Sequence, residues 1–162
     1  MENCKKCNGS GIHFGSGTSP HSEWRKESCD CNHKFNPVLQ TTFGEEGNCL
    51  SACVVSLFDI SIEEVPTFEE DEGKWAFELS CFMTKKFNKF IIPMRLERNK
   101  DMDIFNGSLI ITGINSPNPK VDRHAVISQN NIIIFDPMVG KVDIAITKDM
   151  EATYMVIGDI MK

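Results

Sequence analysis

Two apolar runs, Ala125-Val126-Ile127 and Ile132-Ile133-Ile134-Phe135, flank the polar triplet Gln129-Asn130-Asn131. Short runs rich in β-branched residues on either side of turn-forming residues read as two strands of an antiparallel hairpin. A hairpin centred near Asn130 pairs residues equidistant from it. His124 and Asp136 each lie six positions away, at the outer ends of the two runs. Residues opposite one another across such a pair share a face of the sheet. The spacing therefore predicts an imidazole held by a carboxylate.

The same chain carries a candidate partner for that imidazole. Leu50, Cys53, Val54, Leu57 and Phe58 recur at the spacing of one buried helix face. Gly47 breaks the segment before them and Asn48 is a favoured N-cap, so the pattern predicts a helix over 49–58 that opens on Cys49. The first turn of a helix has unpaired backbone N–H groups and the positive end of the dipole, and both favour an anion. Cys49 is thus the candidate nucleophile, His124 its base and Asp136 the group that orients the base. Gln40, nine residues before Cys49, is a candidate amide donor to the oxyanion, together with the backbone N–H of Cys49. Cys53 points into the core on this spacing, and Cys81 sits mid-helix among apolar residues.

Elsewhere the pattern is coarser. Ser61 and Glu64 form a capping-box pair ahead of Pro66. Glu69, Glu70, Asp71 and Glu72 form an acidic, solvated stretch, and Trp75, Leu79, Phe82, Met83 and Phe87 predict a second helix over about 71–88. Ile91 and Ile92 begin a β-like region that Pro93 confines to an edge or a strand end. Leu109–Thr112 and Tyr154–Ile157 read as further strands, and 115–119 as a loop. Helices first and strands later imply an α+β fold, with N-terminal helices packed on a small antiparallel sheet.

Residues 1–35 differ from residues 36–162, and Asn36-Pro37 reads as the junction. The first segment is rich in Gly, Ser, Cys and His and lacks the apolar periodicity needed to bury a core. It carries Cys4-x-x-Cys7 and, after a 21-residue spacer, Cys29-x-Cys31, four of the seven cysteines in the chain. Close cysteine pairs separated by a loop suit tetrahedral thiolate coordination, so structural Zn²⁺ is expected on Cys4, Cys7, Cys29 and Cys31. His13, His21 and His33 are substitute ligands if one pair cannot reach the metal. Cys4–Gly11 is similar to one half-repeat of the cysteine-rich zinc domain of DnaJ-type chaperones over eight residues. The second pair departs from that repeat, and no chaperone role follows.

Hydrophobic residues make up 41% of the 162, which argues against disorder, and the net charge of −6 gives no reason to expect nucleic acid or an anionic membrane as partner. No run approaches the roughly 20 apolar residues of a membrane span. The polar start, Met1-Glu2-Asn3-Cys4, lacks a secretory h-region, so cytoplasmic residence is expected, where structural disulfides are rare.

Gln40 through Cys49 to Val54, with Arg123–Ile127 and Phe135–Pro137, resembles the papain-like cysteine peptidases, above all their bacterial and phage relatives near the bacteriocin-processing C39 peptidases. The likeness covers about residues 38–158. It implies a papain-like fold, Gln40 as the oxyanion residue, Cys49 as nucleophile, His124 as base and Asp136 as orienter. The gap from Gln40 to Cys49 is longer than in papain, which makes Asn48 a substitute donor. A thiol site of this kind implies hydrolysis of a peptide or isopeptide bond in a protein or peptide substrate. The same site also fits deamidation or transglutamination, and a zinc-containing module of similar fold can act by binding alone.

Overall fold

The computed structural model describes residues 12–14, 26–28, 36–68, 74–95 and 108–160. Helix α1 runs Cys49–Phe58 and α2 runs Lys74–Phe87. The expected helix over 49–58 forms with those bounds, but it is buried on more than one face. Ser51, Ala52, Cys53, Val54, Val55 and Ser56 are consecutive and all buried. A helix enclosed on all sides must satisfy its polar side chains internally. The Ser56 hydroxyl does so by donating to Ala52 O at 2.7 Å and accepting from Val38 N–H at 2.9 Å. Asn36 N–H donates to Ser56 O in turn. Helix α1 thereby fixes the incoming segment that leads to Gln40.

Asp59 ends α1 in the left-handed region at φ 51°, its N–H donating to Val55 O. Ser61 and Glu64 form the expected capping box, here on a 3₁₀ turn at Ile62–Glu64. Helix α2 buries Leu79 and Met83, one turn apart, and stacks Phe87 on Phe58 with ring centroids 4.6 Å apart.

Six strands follow: β3 Lys89–Met94, β4 Ile110–Asn115, β5 Arg123–Gln129, β6 Ile132–Asp136, β7 Gly140–Ala145 and β8 Thr153–Asp159. They form one antiparallel sheet in the order β3-β8-β4-β5-β6-β7. Pro93 lies in β3, an edge strand that pairs only with β8, where a missing N–H breaks no second ladder. The architecture is a mixed α+β fold.

One sheet face packs against the helices. Ile91, Ile111, Ala125, Ile127, Phe135 and Met155 meet Cys53, Val54, Val55, Leu79 and Met83 there. The opposite face carries a second cluster of Ile110, Ile114, Val126, Ile133 and Tyr154, covered by Ile146, Met150 and Ala152 of the segment before β8. Burial on both faces explains why β5 reads as a continuous apolar run rather than an alternating one.

Ahead of this body, β1 Ile12–Phe14 and β2 Lys26–Ser28 form a separate antiparallel pair, with Ile12 opposite Ser28 and Phe14 opposite Lys26. Among the described residues no helix is long and apolar enough to cross a membrane.

Candidate active site

The loop before α1 is built around Gly47 and Asn48. A Cβ at Gly47 would lie 2.8 Å from Gly44 O, so only glycine fits without a shift. Asn48 stands at the N-cap position but makes no side-chain bond to the helix. Its Oδ1 accepts from Thr41 N–H at 3.0 Å and Thr42 N–H at 3.1 Å, while Nδ2 donates to Thr41 Oγ1 at 2.9 Å. Asn48 therefore ties the loop together, and no side chain caps the first turn of α1 at Cys49.

Cys49 Sγ accepts a hydrogen bond from the backbone N–H of Ala125 at 3.4 Å. This contact sets the sulfur against the start of β5, one residue from His124. The His124 ring is 5% exposed. It lies near enough to the Cys49 side chain for the two to interact electrostatically, and its Nε2 lies 2.8 Å from Asp136 Oδ1. With Nε2 engaged by the carboxylate, Nδ1 is the nitrogen left to face the sulfur.

The hairpin reaches this arrangement by a different register from the expected one. Asn130 and Asn131, at φ 51° and 63°, form a two-residue turn, and Gln129 pairs with Ile132 and Ser128 with Ile133. That register carried outward would set Asp136 opposite Ala125 and turn it away from His124. Instead Ile127 pairs with Phe135, and Ile134 is left over as a β-bulge. Carried outward from the Ile127–Phe135 pair, the shifted register sets Asp136 opposite Val126, diagonal to His124 and on its face. His124 and Asp136 are thus diagonal neighbours rather than direct partners, and the bulge brings the carboxylate round.

Asp136 also opens a turn. Its Oδ1 accepts from Met138 N–H at 2.8 Å, and its carbonyl accepts from Val139 N–H. Pro137 O in that turn accepts from Gln40 N–H at 2.9 Å. Gln40 joins the group through this backbone bond and is 8% exposed. Its Nε2 donates to Thr42 O at 3.2 Å, and its Oε1 is buried with no partner among the described residues. One N–H of the Gln40 amide remains for a ligand, whereas the amide of Asn48 is turned into the loop.

Burial alone would lower the His124 pKa, but the hydrogen bonds to Asp136 and Cys49, with their charges, raise it to about 9. Burial would raise the Asp136 pKa, yet the His124 hydrogen bond and the Met138 N–H hold it below the usual carboxylate value. At neutral pH the ring is an imidazolium beside a carboxylate. The folded protein binds the His124 proton more tightly than the unfolded chain, whose histidine titrates near 6.5. Stability from this group is therefore complete below about pH 6.5 and lost as the pH climbs to about 9. Urea midpoints measured across that window should fall, and His124→Ala should flatten the slope. A wild-type midpoint that rises from pH 6.5 to 9 would contradict the ion pair.

Cys53, one turn along α1, is fully buried, and burial first, then the nearby Cys49 and Asp136, push its thiol well up. Cys81 is exposed on α2. Arg123, which the sequence reading passed over, clamps the start of β5. Its guanidinium donates to Asn115 Oδ1, Gly113 O, Glu151 O and Thr153 Oγ1 at 2.7 to 3.2 Å.

Among the described residues no three His, Cys, Asp or Glu side chains group to hold a metal. Cys4, Cys7, Cys29 and Cys31 lie outside those residues. Compared with protein-family models, curated proteins and solved structures, the chain has no match.

Proposed function

We propose that this protein is a cysteine hydrolase of peptide or isopeptide bonds, built on a papain-like plan. The observation that carries the reading is the His124–Asp136 hydrogen bond placed beside the Cys49 sulfur, which the N–H of the next residue, Ala125, holds at the start of β5, so that three side chains from three different elements meet. Cys49, beside the imidazolium, attacks the substrate carbonyl as a thiolate. The uncapped first turn of α1 and the free N–H of Gln40 supply donors for the oxyanion. The C–N bond breaks as His124 gives its proton to the leaving amine. His124, then neutral, takes a proton from water, which attacks the thioester, releases the acid and restores the thiolate beside the imidazolium. Asp136 keeps the ring oriented throughout. A peptide-library digest with wild type and Cys49→Ala side by side tests the reading.

Residues 1–35 hold one structural zinc through Cys4, Cys7, Cys29 and Cys31. Paired spacing supports this, and so does the β1–β2 ladder. The segment bearing Cys4 and Cys7 enters the ladder at Ile12, and the segment bearing Cys29 and Cys31 leaves it from Ser28, directly opposite. Protein purified without chelator should carry about one equivalent of zinc, and chelation should unfold this segment while the α+β body keeps its melting transition. Metal analysis finding less than about half an equivalent would overturn the zinc site.

A further inference from the structure

Eight residues separate Gln40 from Cys49. A donor to the oxyanion acts only where it is held in place before the charge develops. A connection of that length has too much backbone freedom to hold the amide by itself. The bonds that hold it converge on Asn48. Among the described residues the Gln40 amide makes one hydrogen bond, from Nε2 to Thr42 O at 3.2 Å, and its Oε1 has no partner. Its direction therefore depends on where the Thr42 carbonyl stands. Asn48 N–H donates to that same carbonyl at 3.4 Å. Asn48 Oδ1 accepts from the N–H groups of Thr41 and Thr42, and Nδ2 donates to Thr41 Oγ1. Asn48 thus grips three successive peptide groups between Gln40 and Phe43. On the other side, Gln40 N–H is anchored on Pro137 O.

We propose that Asn48 is a positioning residue for the oxyanion donor: it holds Thr41 and Thr42 so that the Thr42 carbonyl sets the direction of the Gln40 amide. The proposal rests on the hydrolase reading. Asn48 then acts through Gln40, with its own amide spent inside the loop.

The test compares two reactions of Cys49 in the full chain, each followed by peptide mapping. Alkylation by iodoacetamide needs the thiolate but builds no oxyanion, whereas acylation by 4-nitrophenyl acetate passes through one. The ratio of acylation rate to alkylation rate reads the oxyanion donor and cancels the thiolate fraction. A merely structural role would slow both reactions together and leave the ratio unmoved. Gln40→Ala should lower the ratio about 10²-fold. Asn48→Ala should lower it about tenfold or more, and so should Asn48→Ser, whose single oxygen is too short to reach both N–H groups. Asn48→Asp should return it to within about threefold of wild type, because its two oxygens can accept from both N–H groups and from the Thr41 hydroxyl. Added to Gln40→Ala, Asn48→Ala should lower the ratio by less than about twofold more, since nothing is left to position. A ratio unmoved by both truncations in folded protein, no recovery with Asp, or full additivity with Gln40→Ala would overturn the role. So would a ratio that Gln40→Ala leaves unchanged, with the nucleophile still standing. If Cys49 of the wild type is not acylated at all, the hydrolase reading itself falls.

Discussion

Cys49→Ala is expected to reduce cleavage to background, a loss of about 10⁴-fold or more, because the other thiol on α1, Cys53, is fully buried and out of reach of a substrate. The protein should stay folded. Cys49 is only partly buried, and the hydrogen bond its sulfur accepts from Ala125 N–H is long, at 3.4 Å. Cys53→Ala is the informative comparison. Cys53 is fully buried in the core between α1 and the sheet, so its loss leaves a small cavity and costs about 1 kcal/mol of stability. It is not one of the three side chains that meet at the site and should keep turnover. Kinetics on one confirmed substrate, with melting curves for both variants, separate the two effects. If Cys53→Ala abolishes turnover in folded protein while Cys49→Ala retains it, the nucleophile is misassigned.

His124→Ala should rank next. It removes the base, the proton donor to the leaving amine and the cation beside the sulfur in one change. A loss of about 10⁴-fold in kcat/KM is expected. Asp136→Asn should cost less, because an amide oxygen can still accept from Met138 N–H and preserve the turn that carries Pro137 and its bond to Gln40. The charge is lost, however, so the imidazolium is less favoured. The alkaline fall in activity, set by His124 at about 9 in the wild type, should move to lower pH in Asp136→Asn. Steady-state profiles of kcat/KM against pH check both points. An unmoved alkaline limb would mean that Asp136 serves the turn alone.

Much of this arrangement was legible in the chain. Strong helical spacing from Leu50 to Phe58 placed α1, and the apolar runs around Asn130 placed β5 and β6. What was not legible has physical reasons. Nothing in Ile132-Ile133-Ile134-Phe135 marks which residue bulges, since four apolar residues in a row fit either register. That bulge decides which face Asp136 takes. Asn48 has the chemistry of an N-cap, but a neighbouring loop with two free N–H groups captured its side chain. Strand β7 was missed because it is an outer strand in which Lys141, Asp143 and Ile144 are exposed, so no alternation stands out. The β1–β2 pair was missed because three-residue strands in a Gly- and Ser-rich segment carry no periodicity.

The central claim is that His124 and Asp136 activate Cys49 in particular, and site-resolved alkylation tests it most directly. Iodoacetamide at pH 6 is followed by peptide mapping of Cys49, Cys53 and Cys81 in wild type and His124→Ala. An ordinary thiol is under about 1% thiolate at that pH, so exposure alone gives slow reaction. Cys81 is exposed, Cys49 partly buried and Cys53 buried. The account predicts Cys49 labelled about tenfold or more faster than Cys81, with that advantage lost in His124→Ala. Labelling that simply follows exposure, Cys81 first and Cys49 unaffected by the loss of His124, would contradict it.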